Sequence, residues 1–196
     1  MFRLLFVPWP EEGEGHYLKN DAEDWQTAAA TEVRNKKFFR IVYARPNPGI
    51  VASLALTGLG STDTVYVMGH CDAGLDYLVS RSGGSGEKLP HNLVCDRLIA
   101  HGLQPWFSGK LKFFNCNSGV QGVSTPSFLS LAGKYLRDKG YTACTIYGYS
   151  GITGGYGKTV GGGINAEPPH KSVFQLVPST NNQYSFKRAR DGQVIY

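Results

Sequence analysis

Short apolar runs alternate along the chain with stretches whose apolar positions recur at helical spacing, the pattern of strands joined by crossover helices around a largely parallel sheet. Residues 2–7 read as a first strand. Residues 21–34 read as a helix capped by Asn20 or Asp21, with Glu23 and Asp24 near its positive end. A second strand is expected at 38–43, closed by the breaker cluster Arg45-Pro46-Asn47-Pro48-Gly49, with a short helix at 50–59. The β-branched and aromatic run Thr64-Val65-Tyr66-Val67-Met68 predicts a third strand that ends at Gly69-His70-Cys71-Asp72. Residues 90–101 predict a helix with Pro90 in its first turn, Leu93, Val94, Leu98 and His101 on one stripe, and Gly102 as its stop. The strand expected at 111–114 runs straight into Asn115-Cys116-Asn117-Ser118-Gly119.

Ser124-Thr125-Pro126 then opens the clearest helix of the chain, with Phe128, Ala132 and Tyr135 or Leu136 on one face and an end at Gly140. A strand at 143–149 follows. Residues 148–163 hold 8 glycines in 16 and are expected to form an irregular, mobile loop. Residues 173–177 read as a strand, and 184–196 as a hairpin turning at Asp191-Gly192. The whole chain, 1–196, reads as one α/β domain with a mostly parallel central sheet flanked by helices, and it contains no internal repeat or linker.

Composition narrows the picture. Hydrophobic residues make up 41% and charged residues 18%, enough apolar material for a core and too little charge for a disordered chain. The net charge of +5 admits anionic partners, but the basic residues are dispersed except for Lys187-Arg188-Ala189-Arg190, so nucleic acid is not indicated. Cys71, Cys95, Cys116 and Cys144 form no CxxC pair and read as reduced thiols. The N-terminal apolar run is too short for a signal peptide and no stretch is long enough to span a membrane, so the expectation is a cytosolic protein or one delivered by a specialised secretion route.

In parallel sheets, sites lie beyond the carboxyl ends of the strands, so two reactive side chains that each follow a strand can converge. His70 and Cys116 are such a pair, 46 residues apart. An imidazole that deprotonates a thiol and later protonates the leaving amine suffices for acyl transfer. The sharp turn after Cys116 would bring backbone N–H groups to a developing oxyanion, with the N–H groups of Cys71 and Cys116 as candidates. Cys95, on a helix, and Cys144, in a strand, read as inert core thiols, and His16, His91, His101 and His170 as surface or helix residues.

Strand-Gly-His, a helix, then strand-x-Cys-x-Ser-Gly resembles the caspase-like (clan CD) cysteine peptidases, in which His precedes Cys by about 50 residues. Cys116-Asn117-Ser118-Gly119 is most similar to metacaspases, and the small domain with a basic terminal hairpin resembles the inositol-hexakisphosphate-activated cysteine protease domains of bacterial toxins. The resemblance covers about residues 37–150. It implies a cysteine endopeptidase of effector or toxin type that needs no cofactor, with Cys116 as nucleophile, His70 as base and a peptide or protein as substrate. Where the family has His-Gly this chain has His70-Cys71, and Phe114 stands where metacaspases carry an acid for a basic P1 side chain, which implies an uncharged P1. Tyr149, Ser150 and Gly151 fall where such peptidases form part of the S1 wall.

The same comparison implies an inositol phosphate held by Lys187, Arg188 and Arg190 together with Lys158 or Lys171. The bland reading of those residues is a solvated turn. A zinc site on His70, Cys71 and Cys116 lacks a fourth ligand at zinc spacing, and Gly157-Lys158-Thr159 lacks the leading glycine of a phosphate loop, whose place is taken by Ile152. Two other classes stay open: a non-catalytic α/β module binding an anionic or carbohydrate ligand, and another cysteine acyltransferase or amidase.

Overall fold

The computed structural model describes residues 1–31, 39–45, 55–154, 172–176 and 184–196. The elements in chain order are β1 (Arg3–Val7), α1 (Lys19–Thr31), β2 (Phe39–Tyr43), β3 (Thr64–Met68), β4 (Tyr77–Val79), β5 (Lys88–Pro90), α2 (His91–Ala100), β6 (Lys110–Phe114), α3 (Phe128–Asp138), β7 (Thr145–Tyr149), β8 (Ile152–Gly154), β9 (Ser172–Leu176), β10 (Tyr184–Arg188) and β11 (Gln193–Ile195). The central sheet runs β11-β7-β6-β3-β1-β2. The four pairings from β2 to β7 are parallel and β11 lies antiparallel on β7.

All five residues of β3 are buried, as a strand covered on both faces requires. On one face Phe113 of β6 meets Phe128 of α3 at 5.2 Å between ring centroids. Through the alternation of the pleat, the next residue, Phe114, points to the other face and meets Trp25 of α1 at 4.7 Å, while Trp25 also touches Tyr66 at 5.1 Å. The helices therefore flank the sheet, with α2 and α3 on one side and α1 on the other.

Several boundaries differ from expectation for identifiable reasons. The helix expected from Ser124-Thr125-Pro126 starts later. The Thr125 hydroxyl is spent on the Gly74 carbonyl, 2.9 Å away, and Ser127 is the cap, its side chain accepting the Ser130 N–H at 3.1 Å. In α2 the inward stripe is Val94, Cys95 and Leu98, and Leu93 is 44% exposed. A 3-10 turn over Glu14–Leu18 feeds α1, which starts at Lys19 ahead of the expected caps Asn20 and Asp21. Of the helix expected at 50–59, residues 55–58 form a turn and 50–54 lie outside the described residues, as do 32–34 at the end of the first helix.

The glycine-rich stretch contains regular structure after all. Residues 152–154 form β8, which pairs antiparallel with β9, while 155–163 lie outside the described residues. The C-terminal segment has the two expected strands, joined at Ala189–Gly192, but they do not pair with each other as a hairpin. β10 lies antiparallel on β9 in a small three-stranded sheet, and β11 crosses to the edge of the central sheet. The strands β4 and β5, three residues each, pair with each other and were too short to leave a periodic signal. Among the described residues no helix is long and apolar enough to cross a membrane.

Candidate active site

β3 and β6 are neighbours, parallel and in register, with Met68 opposite Phe114. Two residues beyond that pair stand His70 and Cys116, so both leave the same edge of the sheet at the same level. Asn115 ties the two exits together, its buried side-chain amide donating to the Gly69 carbonyl at 3.0 Å. His70 is held from the opposite side by β4: its N–H donates to the Val79 carbonyl at 2.9 Å and its carbonyl accepts the Val79 N–H at 2.8 Å.

That support is itself braced. The Glu14 carboxylate accepts from the Ser80 hydroxyl and from Arg81 Nη2, the latter at 2.8 Å. These hydrogen bonds, Arg81 first and Ser80 second, hold the Glu14 carboxyl down at about 2, so the brace is charged at any physiological pH.

The turn after β6 is built on Asn117, whose φ of +50° lies in the left-handed region that asparagine tolerates better than most residues. Its N–H donates to the Gly151 carbonyl at 2.8 Å, and the Gly119 N–H to the Tyr149 carbonyl at 3.0 Å. Between them the buried Ser118 hydroxyl donates to the Phe113 carbonyl at 2.9 Å and accepts the Tyr149 N–H at 3.0 Å. At Gly119 a side chain would meet Val194 at 2.8 Å, so glycine is the residue that lets the turn lie against β11. The Cys116 loop is thus stitched to the end of β7. It is also stitched to the His70 loop: Asn117 Nδ2 donates to Asp72 Oδ1 at 3.0 Å, and the Gly74 N–H to the Val120 carbonyl at 3.0 Å.

Within this frame the Cys116 thiol is half-buried and lies 3.7 Å from the Thr153 hydroxyl of β8. The imidazole of His70 hydrogen-bonds to no described residue, and burial pushes its pKa below the ordinary histidine value, so at neutral pH it is the uncharged, proton-accepting form. The N–H groups at 70 and 117 are occupied, as above. Those of Cys71 and Cys116 donate to no described residue, which leaves two backbone donors unspent among the described residues.

The other thiols differ in setting. Burial pushes Cys71 up to about 12, and the neighbouring Cys116 and Asp72 add to the rise. Cys95 and Cys144 are buried, as expected for core thiols, and burial raises both.

Of the substrate-binding residues expected from sequence, Ser150 and Gly151 lie at this rim. The Ser150 N–H is held by the Gly192 carbonyl at 2.9 Å, and the Gly151 carbonyl caps the Cys116 turn. Phe114 and Tyr149 do not wall the site. They are 4% and 1% exposed and stack on each other at 5.0 Å under the rim, because the pleat turns both toward α1. Asp72, a possible partner for His70, is committed to Asn117 and to the Ala73 N–H, and the carbonyl of Asp76 accepts the N–H of His91.

The five residues expected to bind an anion are only partly described. Arg190 pairs with its neighbour Asp191 at 3.5 Å, Arg188 is exposed, Lys187 sits on β10, and Lys158 and Lys171 lie outside the described residues. His170 also lies outside them. His16 is exposed and His91 opens α2, but His101 is a core residue, 1% exposed: it accepts the Arg45 N–H at Nε2, 3.1 Å away, and donates from Nδ1 to the Arg97 carbonyl at 2.7 Å.

Sequence reasoning missed Thr153, which a glycine-rich reading of its surroundings concealed, and Asn115 and Asn117. An amide immediately on either side of a candidate nucleophile is the signal that could have found them. Compared with known proteins, the chain matches no family model and no curated protein.

Proposed function

We propose that the protein is a cysteine endopeptidase of caspase-like type, in which Cys116 attacks the scissile carbonyl and His70 carries the protons. The observation that bears most weight is the common exit of His70 and Cys116 from paired, in-register strands, with the N–H groups of Cys71 and Cys116 donating to no described residue. In the acylation step the neutral imidazole takes the thiol proton as sulfur bonds to the carbonyl carbon, and the carbonyl oxygen becomes an oxyanion facing the two N–H groups. The imidazolium then protonates the leaving amine as the C–N bond breaks. Water, deprotonated by the same imidazole, releases the acyl group from sulfur.

Asp72 is not needed as a third member, since its carboxylate serves the Asn117 clasp. Thr153 touches the thiol and the Gly151 carbonyl accepts from the adjoining Asn117 N–H; with Ser150 they are the groups a P1 residue would meet. No carboxylate among the described residues contacts the thiol, which favours an uncharged P1 side chain over lysine or arginine.

The test is cleavage of a mixed peptide library by the purified chain, with products read by mass spectrometry. The expected result is turnover that Cys116→Ala abolishes and Cys71→Ala retains, with uncharged residues on the acyl side of the cut. Unchanged turnover in Cys116→Ala, or none in the parent under reducing conditions with and without inositol hexakisphosphate, would overturn the proposal.

A further inference from the structure

A second site is carried by the far edge of the sheet. β2 is the last strand there, and its outer side pairs with no described strand. Beside it lies a cavity of about 660 Å³ lined by every residue from Arg40 to Arg45 together with Pro10, Glu11, Glu12, Ala55 and His101. Successive side chains of a strand point to opposite faces, so a cavity over one face would meet alternate residues only. Four of these residues, Arg40 to Tyr43, belong to β2, and a cavity that meets four strand residues in a row lies along the strand's edge, where the backbone N–H and C=O groups are. With Ala44 and Arg45 beyond the strand, the six-residue run spans at most about 20 Å, room for an extended peptide of similar length.

The lining chemistry is unfinished in the same place. The Tyr43 hydroxyl is buried and has no hydrogen-bond partner among the described residues, a condition that costs free energy unless a ligand supplies one. Arg40 and Arg45 make no ion pair among the described residues, whereas Glu11 is neutralised by Lys19 at 2.8 Å. The free charge of the trough is therefore two guanidinium groups against Glu12, a positive excess. Between them stand Ile41, Val42 and Tyr43, whose side chains suit β-branched neighbours on an added strand.

We infer that the edge of β2 is a docking site for an extended segment of a partner protein that adds to the central sheet as a seventh strand, apolar and β-branched at its centre and acidic at its ends. Main-chain hydrogen bonds to β2 hold the segment, Arg40 and Arg45 select the acidic ends, and the Tyr43 hydroxyl donates to one of its carbonyl groups. The site is separate from Cys116, with β1 and β3 standing between β2 and β6, and it stands or falls independently of the peptidase reading.

The probe is the fluorescein-labelled, C-amidated peptide Glu-Val-Thr-Val-Thr-Glu, titrated into the full chain and followed by anisotropy. Saturable binding is expected, unchanged in Cys116→Ala. Replacing both terminal acids by lysine, or Arg40 and Arg45 by serine, should weaken it about tenfold or more, and Tyr43→Phe about fivefold, the worth of one neutral hydrogen bond. N-methylation of alternate peptide nitrogens, which keeps the side chains and removes ladder donors, should abolish it in one of the two registers. Absence of binding, or equal binding of both N-methylated peptides, overturns the inference. So does a concentration-dependent dimer that Arg40→Ser dissociates, because the trough would then belong to a second copy of this chain.

Discussion

Two layers of the molecule, a few ångströms apart along the same strands, treat the same kinds of residue in opposite ways. Under the α2–α3 layer and along the middle of β6, apolar rings close on each other and thiols are sealed: Phe113 and Cys95 are fully buried, and the Cys95 thiol reaches the Ala132 carbonyl at 3.8 Å. At the carboxyl rim of β3 and β6 the packing stops. There a thiol is half-buried, an imidazole has no hydrogen-bond partner among the described residues, and two backbone N–H groups are unspent. Interior packing consumes polar capacity, and the rim keeps some in reserve. The difference locates chemistry more firmly than residue type does, since the chain has four cysteines and three of them are in settings that raise their pKa.

The contrast breaks most completely at the proposed nucleophile. Cys116→Ala should reduce peptide turnover by about 10⁴-fold or more, to the level that binding and the oxyanion donors alone sustain, with no loss of the folded state. In the dry layer the expected effects are on stability: Phe113→Ala removes a ring packed against Phe128 and should cost about 3–5 kcal/mol in urea unfolding, while reactivity of the remaining folded protein toward thiol reagents keeps its order. A Phe113→Ala protein as stable as the parent would mean that the packing described for that layer is wrong.

The turn at the rim gives a smaller and more selective effect. Asn117→Val places a β-branched residue at a φ of +50° and removes the bond to Asp72, which should destabilise the chain by about 1–3 kcal/mol and lower kcat more than it raises KM. Asn117→Gly relieves the backbone strain and loses only the clasp, so it should recover most of the stability. If both variants lose equal stability, the left-handed conformation is not what the position demands.

Acid should separate the two layers in another way. Burial lowers the pKa of both His70 and His101, and for His101 the nearby Arg45 and Arg97 add to the fall. Between the ordinary histidine value of about 6.5 and the lower folded values, the unfolded chain binds more protons than the folded one. Their contribution to stability is therefore full above that range and is lost as pH falls through it. Protonated His101 would also point an Nε2–H at the Arg45 N–H it now accepts. Unfolding midpoints should drop between pH 7.5 and 5.5 in the parent and drop less in His101→Gln. A midpoint that rises on acidification would contradict the assignment of both rings as neutral.

Much of this organisation is legible in the residues themselves. The strand at Thr64–Met68, the strand at Lys110–Phe114 and their reactive successors can be read because β-branched and aromatic runs end abruptly in Gly-His and Asn-Cys. That both residues follow strands is legible, but the pairing and register of those strands are not, and it is these that bring position 70 level with position 116. The burial of Phe114 and Tyr149 is set by which face α1 covers, which no local pattern reports. β8 stayed hidden because glycine content argues against a strand locally, while the partner that stabilises it, β9, is some twenty residues on. The separate fates of β10 and β11 are tertiary in the same sense: a turn signal at Asp191-Gly192 is equally compatible with strands that pair with each other and strands that part company.

The most direct test of the shared crevice is the rate at which a peptidyl electrophile labels each thiol as pH is varied, with sites assigned by mass spectrometry. The expected outcome is fast labelling confined to Cys116, slow labelling of Cys71, none of Cys95 and Cys144, and an acid limb on the Cys116 rate that lies below the ordinary histidine value and disappears in His70→Ala. Labelling of Cys116 no faster than Cys71, or a Cys116 rate and pH profile that His70→Ala leaves unchanged, would show that the imidazole and the thiol do not act together.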